Sequence, residues 1–354
     1  MIFSQTDFDG HEMVTAFCDQ RAKLRGFIGV HSTALGPAFG GCRMWPYVDE
    51  AAAIRDVLRL SRGMSYKNAM AGLPYGGGKA VIVADPRSDK TPELFKAFGR
   101  MVDRLGGTYM TAEDVGITVD DMRIVATETV HVGGIPQEDG YRGGDPSPIT
   151  ARGVFAGIKA TARHALGSAD LAGVTVAVQG AGHVGYNLCR LLHEAGASIK
   201  VSDINAENVA RVQAEFGAEA VDPAVFFEVD ADIIAPCALG SVLNKTTIPL
   251  IKAKVIAGAA NNQLAGAADG ERLHNRGILY APDYVINAGG IISVAAERDD
   301  AATQASVLAK VDGIGERLRE IYERSDESGR APHEVADHIA REIMQRAEEN
   351  GRNV

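Results

Sequence analysis

Val174-Thr175-Val176-Ala177-Val178-Gln179 runs without a break into Gly180-Ala181-Gly182-His183-Val184-Gly185, after which Leu188, Leu191 and Leu192 recur at helical spacing. An apolar β-branched run, a glycine turn and an amphipathic helix in that order read as the opening half of a βαβ unit. The first glycine makes the turn, the second lets backbone N–H groups reach a pyrophosphate, and the third packs helix on strand; Ala181, His183 and Val184 complete the loop. A second strand, 199–202, ends at Asp203, where a carboxylate can accept hydrogen bonds from both hydroxyls of a ribose. Further apolar strands at 233–234 and 255–257 alternate with helical or turn segments, so this third of the chain is expected to form a parallel sheet covered on both faces. The pattern predicts a dinucleotide site. Asp203 repels an added 2′-phosphate, and Ile204 and Asn205 offer no cation to bind one, so NAD is expected over NADP. His183 is expected to face solvent.

The chain has 354 residues, enough for two domains. Its first third mixes helices with short strands (80–84 and 109–110) and lacks the regular alternation, which marks a separate domain. Thr91-Pro92-Glu93 supplies an N-cap, a first-turn proline and an acid for a helix carrying Leu94, Phe98, Met101, Val102 and Leu105. Helices are also predicted from Asp49, from Thr118 with Asp121 three residues on, and from Ser147-Pro148. The 40 glycines cluster at short turns: 40–41, 76–78, 133–134, 143–144, 180–185 and 289–290. Such clusters mark sharp turns or close approach to a ligand, and together they predict one extended cleft.

A net charge of −10 without a block of Lys and Arg argues against nucleic acid or an anionic membrane as partner, leaving small molecules. The N-terminal residues lack a basic start followed by an apolar run, and no stretch is apolar over 18 residues, so a cytoplasmic protein is expected. The four cysteines are far apart and read as reduced thiols. No metal site is expected. His333 and His338 stand five apart, about 140° around a helix, where a zinc-protease motif needs four, and they are read as part of a solvated helix.

Gly76-Gly77-Gly78-Lys79 is not a phosphate loop, because Leu73 and Ala80 stand where glycine and Ser or Thr are required. The alternative is a lysine closing a glycine turn among apolar residues, near Lys67. Burial and a neighbouring cation both disfavour its charged form, which suits a general base.

Leu73-Pro74-Tyr75-Gly76-Gly77-Gly78-Lys79 followed by Asp85-Pro86 resembles the active-site signature of the glutamate/leucine/phenylalanine/valine dehydrogenases. The likeness continues through Gly40-Gly41-Cys42-Arg43-Met44, Tyr66-Lys67-Asn68, Thr111-Ala112-Glu113-Asp114-Val115-Gly116, Pro146-Ser147-Pro148-Ile149-Thr150, Ala260-Asn261-Asn262-Gln263 and 281–290, with the leucine enzymes most similar. It implies an α/β protein of two domains. Residues 1–145 would bind substrate, catalyse and oligomerise, with the C-terminal helix, 326–354, returning to them; 146–325 would form a Rossmann-type NAD domain. It also implies hydride transfer from an L-amino acid to NAD, then hydrolysis to a 2-oxo acid and ammonia, with domain closure excluding water.

By resemblance, Lys67 holds the substrate α-carboxylate, Lys79 activates the attacking water and Asp114 exchanges protons with the amine and carbinolamine. Arg43 lies toward the cofactor, Ser147 and Thr150 hold the nicotinamide amide, and Asn261 lies near the ribose or the amine; Ala238 and Asn287 join the cofactor set. In the glutamate enzymes a lysine precedes the first glycine pair to bind the side-chain carboxylate, and here Phe39 stands there, so glutamate is disfavoured. The rest of the pocket, Gly40, Met64, Ala112, Ile291 and Val294, is apolar. Phe39 and Ile291 are bulky, which favours leucine, valine or isoleucine, with phenylalanine the alternative. A silent nucleotide sensor would not need Lys67, Lys79 and Asp114 together. A hydroxy-acid dehydrogenase would need a histidine and acid pair near the nicotinamide, and none is evident. A shorter C-terminal helix leaves a homodimer as the smallest expected assembly. Gly185, where leucine enzymes often carry alanine, and the hinge loop 141–145 depart from their pattern.

Overall fold

A computed structural model of the chain describes residues 2–136, 145–238 and 240–351; hinge-loop residues 141–144, with the Gly143-Gly144 turn, lie outside them. The chain divides into two compact units, one of Met1–Gly144, Val294–Ala301 and Ala340–Val354, the other of Asp145–Ser293 and Ala302–Ile339.

The first unit is a mixed sheet between helices. Its elements are β1 (Met13–Asp19), β2 (Leu24–Ser32), β3 (Ala38–Phe39), β4 (Cys42–Trp45), α1 (Glu50–Met70), β5 (Gly76–Val83), α2 (Pro92–Asp103), β6 (Tyr109–Met110) and α3 (Val119–Val125). The strand order is β1-β2-β5-β3-β6, with β4 also paired to β5. The capping signals act as expected: Asp49 accepts the Ala52 N–H, Thr91 the Leu94 N–H, and Thr118 with Asp121 forms a reciprocal capping box. β5 is the axis of the unit and is almost wholly buried. Its side chains alternate: Ala80 and Ile82 join Leu94, Phe95, Phe98, Met122 and Val125 under α2 and α3, while Val81 packs with Ala53 and Val57 of α1. The same alternation puts Gly77 and Lys79 on the α1 face.

The second unit contains α4 (Ser147–Leu166), β7 (Thr175–Gln179), α5 (His183–Glu194), β8 (Ser198–Ser202), α6 (Ala206–Phe216), β9 (Glu219–Ala220), β10 (Ile233–Pro236), β11 (Val255–Ile256), α7 (Ala267–Asn275), β12 (Leu279–Tyr280), α8 (Asp283–Ile286), α9 (Gly289–Ala295), α10 (Gln304–Asp312), α11 (Ile314–Ser328) and α12 (Pro332–Gly351). α9 and α12 run on into the first unit at 294 and 340. The six strands are all parallel, in the order β12-β11-β10-β7-β8-β9. This is the doubly wound order, which reverses direction between β7 and β10 and places a crevice beyond their carboxyl ends.

The return of the chain to the first unit differs from the expected single crossing at 326. Residues 302–339 stay with the second unit because Val311, Ile314 and Leu318 pack against Gly153 and Gly157 of α4. Two shorter stretches return. In the first, the Glu297 carboxylate accepts the Gly134 N–H at 2.9 Å and Arg298 donates to the Val130 and Val132 carbonyls. In the second, Arg341 donates to the Tyr66 hydroxyl at 2.7 Å. α12 is also not the solvated helix expected: Val335, Ala336, Ile339 and Ala340 are buried, and His333 lies against Gly270, where a Cβ would come within 2.3 Å of its ring.

Candidate active site

Lys79 and Asp114 meet because glycines let three backbone segments touch. Gly40-Gly41 and Cys42 run beside β5, with Cys42 opposite Ala80, and Cys42 also bridges to Glu113. A Cβ at Gly40 would stand 1.9 Å from the Gly78 carbonyl oxygen, and one at Gly41 would stand 2.4 Å from that of Glu113 and 3.0 Å from the Asp114 Cβ. Without side chains at 40 and 41, Asp114 sits directly over the strand. Its Oδ2 is 2.8 Å from Lys79 Nζ, and Lys79 is 95% buried, with 5% of its surface exposed.

α1, the helix that carries the second lysine, packs on the same face. A Cβ at Gly77 would lie 2.0 Å from the Ser65 nitrogen, so helix and strand touch main chain to main chain. Asn68 fixes the helix end by donating from Nδ2 to the carbonyls of Gly76 at 2.6 Å and Phe39 at 3.2 Å. Lys67, one residue earlier and half-buried, is carried by that anchored turn.

The charge set against Lys79 is therefore a carboxylate, a partner that the reading of Lys79 as neighbour to a cation did not include. Arg43 joins them: its Nε donates to Asp114 Oδ2 at 3.1 Å and its Nη1 to Asp56 Oδ2 at 3.0 Å. Burial by itself raises the Asp114 carboxyl, but Lys79 and Arg43 outweigh it and hold the group at about 2. Asp114 is thus ionised at neutral pH.

Beside this cluster the first unit holds an apolar patch. The Phe39 ring is fully buried, 5.3 Å from the Tyr75 ring at 64°. A Cβ on Gly133 would come within 2.8 Å of Phe39 Cζ and 3.1 Å of Val294 Cγ1, so both side chains close over that glycine. Met64 lies against Gly40, and Ala112 lies next to Gly134. Ile291 belongs to α9 in the second unit.

In the second unit the Gly180–Gly185 turn joins β7 to α5. Gly180 has φ +93° and abuts Ala238 just beyond β10, so Ala238 stands at the reversal of strand order. Gly185 packs beneath the Gly180 carbonyl, where a Cβ would be 1.9 Å away, and Gly182 faces open space. Gly182 caps α5 without a side-chain hydrogen bond, leaving backbone N–H groups at the helix start for an anion. Ala181 is buried, Val184 half-buried, and His183 faces out with its side chain 83% exposed. Asp203 accepts the Ala181 N–H at 2.6 Å and the Asn205 N–H at 2.8 Å, which pins it at the mouth of the turn. The start of α4 packs on Gly289-Gly290: Thr150 Oγ1 is 2.9 Å from where a Gly290 Cβ would be, and Ser147 is buried. Asn287 donates to Asn261 Oδ1 at 2.8 Å, and its own Oδ1 is buried without a hydrogen-bond partner. A buried acceptor lacking a donor, an open glycine and an uncapped helix start together fit a dinucleotide carrying a carboxamide.

Comparison with known proteins decides the kinship. The family model for the Glu/Leu/Phe/Val dehydrogenase dimerisation domain matches residues 12–131, and that for the glutamate/leucine/phenylalanine/valine dehydrogenases matches 145–207 and 200–351. The chain belongs to this dehydrogenase family. It is a family of nicotinamide-dependent oxidoreductases. The chain is similar to the leucine dehydrogenase of Bacillus subtilis (strain 168), 52% identical over 96% of this chain and 92% of that one. It is also similar to the L-tryptophan dehydrogenase of Nostoc punctiforme, 45% identical over 96% and 95%. The crystal structure of L-tryptophan dehydrogenase from that organism superposes with a TM-score of 0.83 at 44% identity, covering 96% of this chain and 97% of that one. In this dehydrogenase the sequence reading missed Asp56 and Tyr47 around Arg43, and Tyr75 and Gly133 around Phe39. Tyr75 stands inside the glycine–lysine motif and Gly133 in a noted glycine pair, so both carried a local signal; Asp56 carried none. Among the described residues no helix is long and apolar enough to cross a membrane.

Proposed function

We propose that the enzyme carries out the reversible, NAD-dependent oxidative deamination of a branched-chain L-amino acid, leucine, valine or isoleucine, to the 2-oxo acid and ammonia. The observation that carries the reading is the contact at 2.8 Å between buried Lys79 and half-buried Asp114, on the strand face against which α1, the helix that carries Lys67, packs. In this mechanism the Lys67 ammonium pairs with the substrate α-carboxylate and orients Cα. Asp114, ionised, takes a proton from the substrate ammonium, freeing the nitrogen lone pair. Bound NAD supplies the acceptor for the Cα hydride. Lys79, having released its ammonium proton to solvent at mildly alkaline pH, removes a proton from water as it adds to the resulting iminium carbon; Asp114 returns a proton to the nitrogen, and the carbinol hydroxyl gives up its proton as the C=O forms and ammonia leaves. Amino acid, NAD⁺ and water thus give 2-oxo acid, ammonium, NADH and a proton.

Phe39 supports an apolar substrate, because a charged side chain brought against that buried ring would lose its solvation without gaining a partner. The match to a dimerisation domain over 12–131 supports at least a homodimer. The test is NADH formation with L-leucine, L-valine, L-isoleucine, L-phenylalanine, L-tryptophan and L-glutamate side by side at mildly alkaline pH. The aliphatic set is expected to turn over fastest and glutamate not at all. Faster turnover of the aromatic pair overturns the pocket reading, and silence on every substrate overturns the chemistry.

The preference for NAD rests on Asp203. Asp203→Ala is expected to weaken NAD by roughly tenfold and to narrow the gap to NADP, because the carboxylate both accepts from the ribose and repels a 2′-phosphate. Because Asp203 also accepts the Ala181 N–H, the loop has to be checked by thermal unfolding of the variant. An unchanged NAD to NADP ratio removes Asp203 from the ribose.

A further inference from the structure

We propose that Asp56, a residue that touches no reacting group in this reading, is a positioning residue for the reaction, dividing the charge of Arg43 so that Asp114 stays shared with Lys79. The proposal rests on the proton-exchange role given to Asp114 above.

The geometry is a chain of four charges. Lys79 and Arg43 both contact Asp114 Oδ2, at 2.8 and 3.1 Å, and Arg43 turns its other edge to Asp56 Oδ2 at 3.0 Å. Two cations and two carboxylates balance along this chain, and Arg59, 47% exposed, adds a solvent-screened positive charge at its outer end. Asp56 is itself held, by the Tyr47 hydroxyl donating to Oδ2 at 2.6 Å and by Arg59 donating to Oδ1 at 3.2 Å. The Asp56 side chain is 13% exposed and that of Arg43 is 19% exposed, so solvent screens the contact weakly. A planar guanidinium fixed at two edges cannot swing toward one partner, and here that partner would be Asp114.

Removal of Asp56 alone leaves the cluster with an excess positive charge beside Asp114. The full Arg43 charge then falls on Asp114, drawing the carboxylate off Lys79 and making it a poorer proton acceptor. The groups that face Asp114 are Lys79 from β5, Arg43 and Cys42 from β4, Tyr109 from β6, and Tyr47 from the segment following β4. Losing a negative charge at 56 displaces each ionisation among them to lower pH.

The experiment compares Asp56→Asn and Asp56→Glu with the unsubstituted enzyme in kcat and KM for L-leucine and NAD across pH. Asp56→Asn keeps the shape and an amide oxygen that can still accept from Arg43 and Tyr47, but it loses the charge and the acceptor that faces Arg59. It is expected to lower kcat by about tenfold, leave both KM values within about twofold, and move the acid limb of kcat/KM down by about half a pH unit or more. Asp56→Glu keeps the charge, so its limb stays in place whatever the loss in kcat. A limb that stays put in Asp56→Asn, or one that moves equally in Asp56→Glu, overturns the proposal, because a merely structural residue changes the plateau and not the limb. Thermal unfolding confirms that each variant is folded, and if Asp56→Asn is not, the limb is read in Tyr47→Phe, where it is expected to stay at or above its original position because the Asp56 charge is intact. Asp114→Asn separates the two readings. Activity surviving in it overturns the role of Asp114 itself, whereas an inactive Asp114→Asn with an unmoved Asp56→Asn limb overturns only the role of Asp56.

Discussion

Lys79→Ala is expected to lower turnover of every amino acid substrate by about 10³ to 10⁴, the range of a lost general base, while NADH binds as before. The two halves of that expectation come from different parts of the chain. Lys79 lies in the middle of β5 in the first unit, whereas the glycine turn, Asp203 and Asn287 belong to the second. Lys79 is also the nearer of the two cations on Asp114, so its loss removes the strongest favourable charge on that carboxylate together with the base. The check is a pair of measurements on one sample, steady-state deamination and fluorescence titration with NADH. If NADH binding falls in step with turnover, Lys79 is holding the fold or the cofactor and the mechanism loses its base. Lys79→Arg, which keeps charge but does not release a proton at working pH, is expected to be nearly as inactive.

The second large effect concerns stability in mild acid. His11 and His31 are buried side by side with ring centroids 4.8 Å apart. His31 hydrogen-bonds Ser65 at 2.8 Å and His11 contacts the Leu58 carbonyl at 2.9 Å, so both support α1. Burial above all, and then the facing His11, push His31 down from 6.5 to about 4, and burial lowers His11 as well; the Asp9 carboxylate 3.9 Å from His31 only partly offsets this. The unfolded chain therefore binds protons below 6.5 that the folded chain refuses. Stability is fully present above that pH and declines as pH falls toward 4, for His31 by on the order of 3 kcal/mol. Carboxylates held low, such as Asp114, act mainly below their ordinary value of 3.8, so the histidines dominate the window from 6.5 to about 4.5. Urea unfolding at pH 7 and pH 4.5 is expected to show a loss of about 2 to 3 kcal/mol or more, reduced in a His11→Gln, His31→Gln double variant to the share of His333, which burial also lowers. An equal loss in that variant places the acid sensitivity elsewhere.

Much of the second unit was legible because each part of it is a local pattern. The strand, glycine turn, helix and terminal Asp203 are all read along one continuous segment, and the structure places them in a doubly wound sheet. β9 and β12 were not read, since Glu219-Ala220 is an exposed pair led by an acid and Leu279-Tyr280 lacks the β-branched run that marked Val255-Ile256. In the first unit, the β1–β2 hairpin escaped because β2 is buried on both faces over most of its length, which erases alternation, while β1 lies at the edge and is largely half-exposed. Lys79 was legible as a lysine closing a glycine turn, but its carboxylate partner was not, because Asp114 reaches it through contacts made by Gly40, Gly41 and Cys42, far away in the chain. Asp56 was illegible for the same reason. Its one sequence property is an acid on an amphipathic helix, which most often faces water.

The glycines of β5 bear on how such an enzyme could change its diet. Helix α1 rests on the strand through main-chain atoms at Gly77 and Ser65, so the placement of Lys67 and Lys79 is set by backbone and is indifferent to side-chain volume. The Phe39 and Val294 side chains, by contrast, lie over the bare backbone of Gly133. Substitutions there can enlarge or narrow what the enzyme accepts without disturbing the lysines, an insulation of chemistry from selectivity that lets one catalytic frame be inherited intact while its menu drifts.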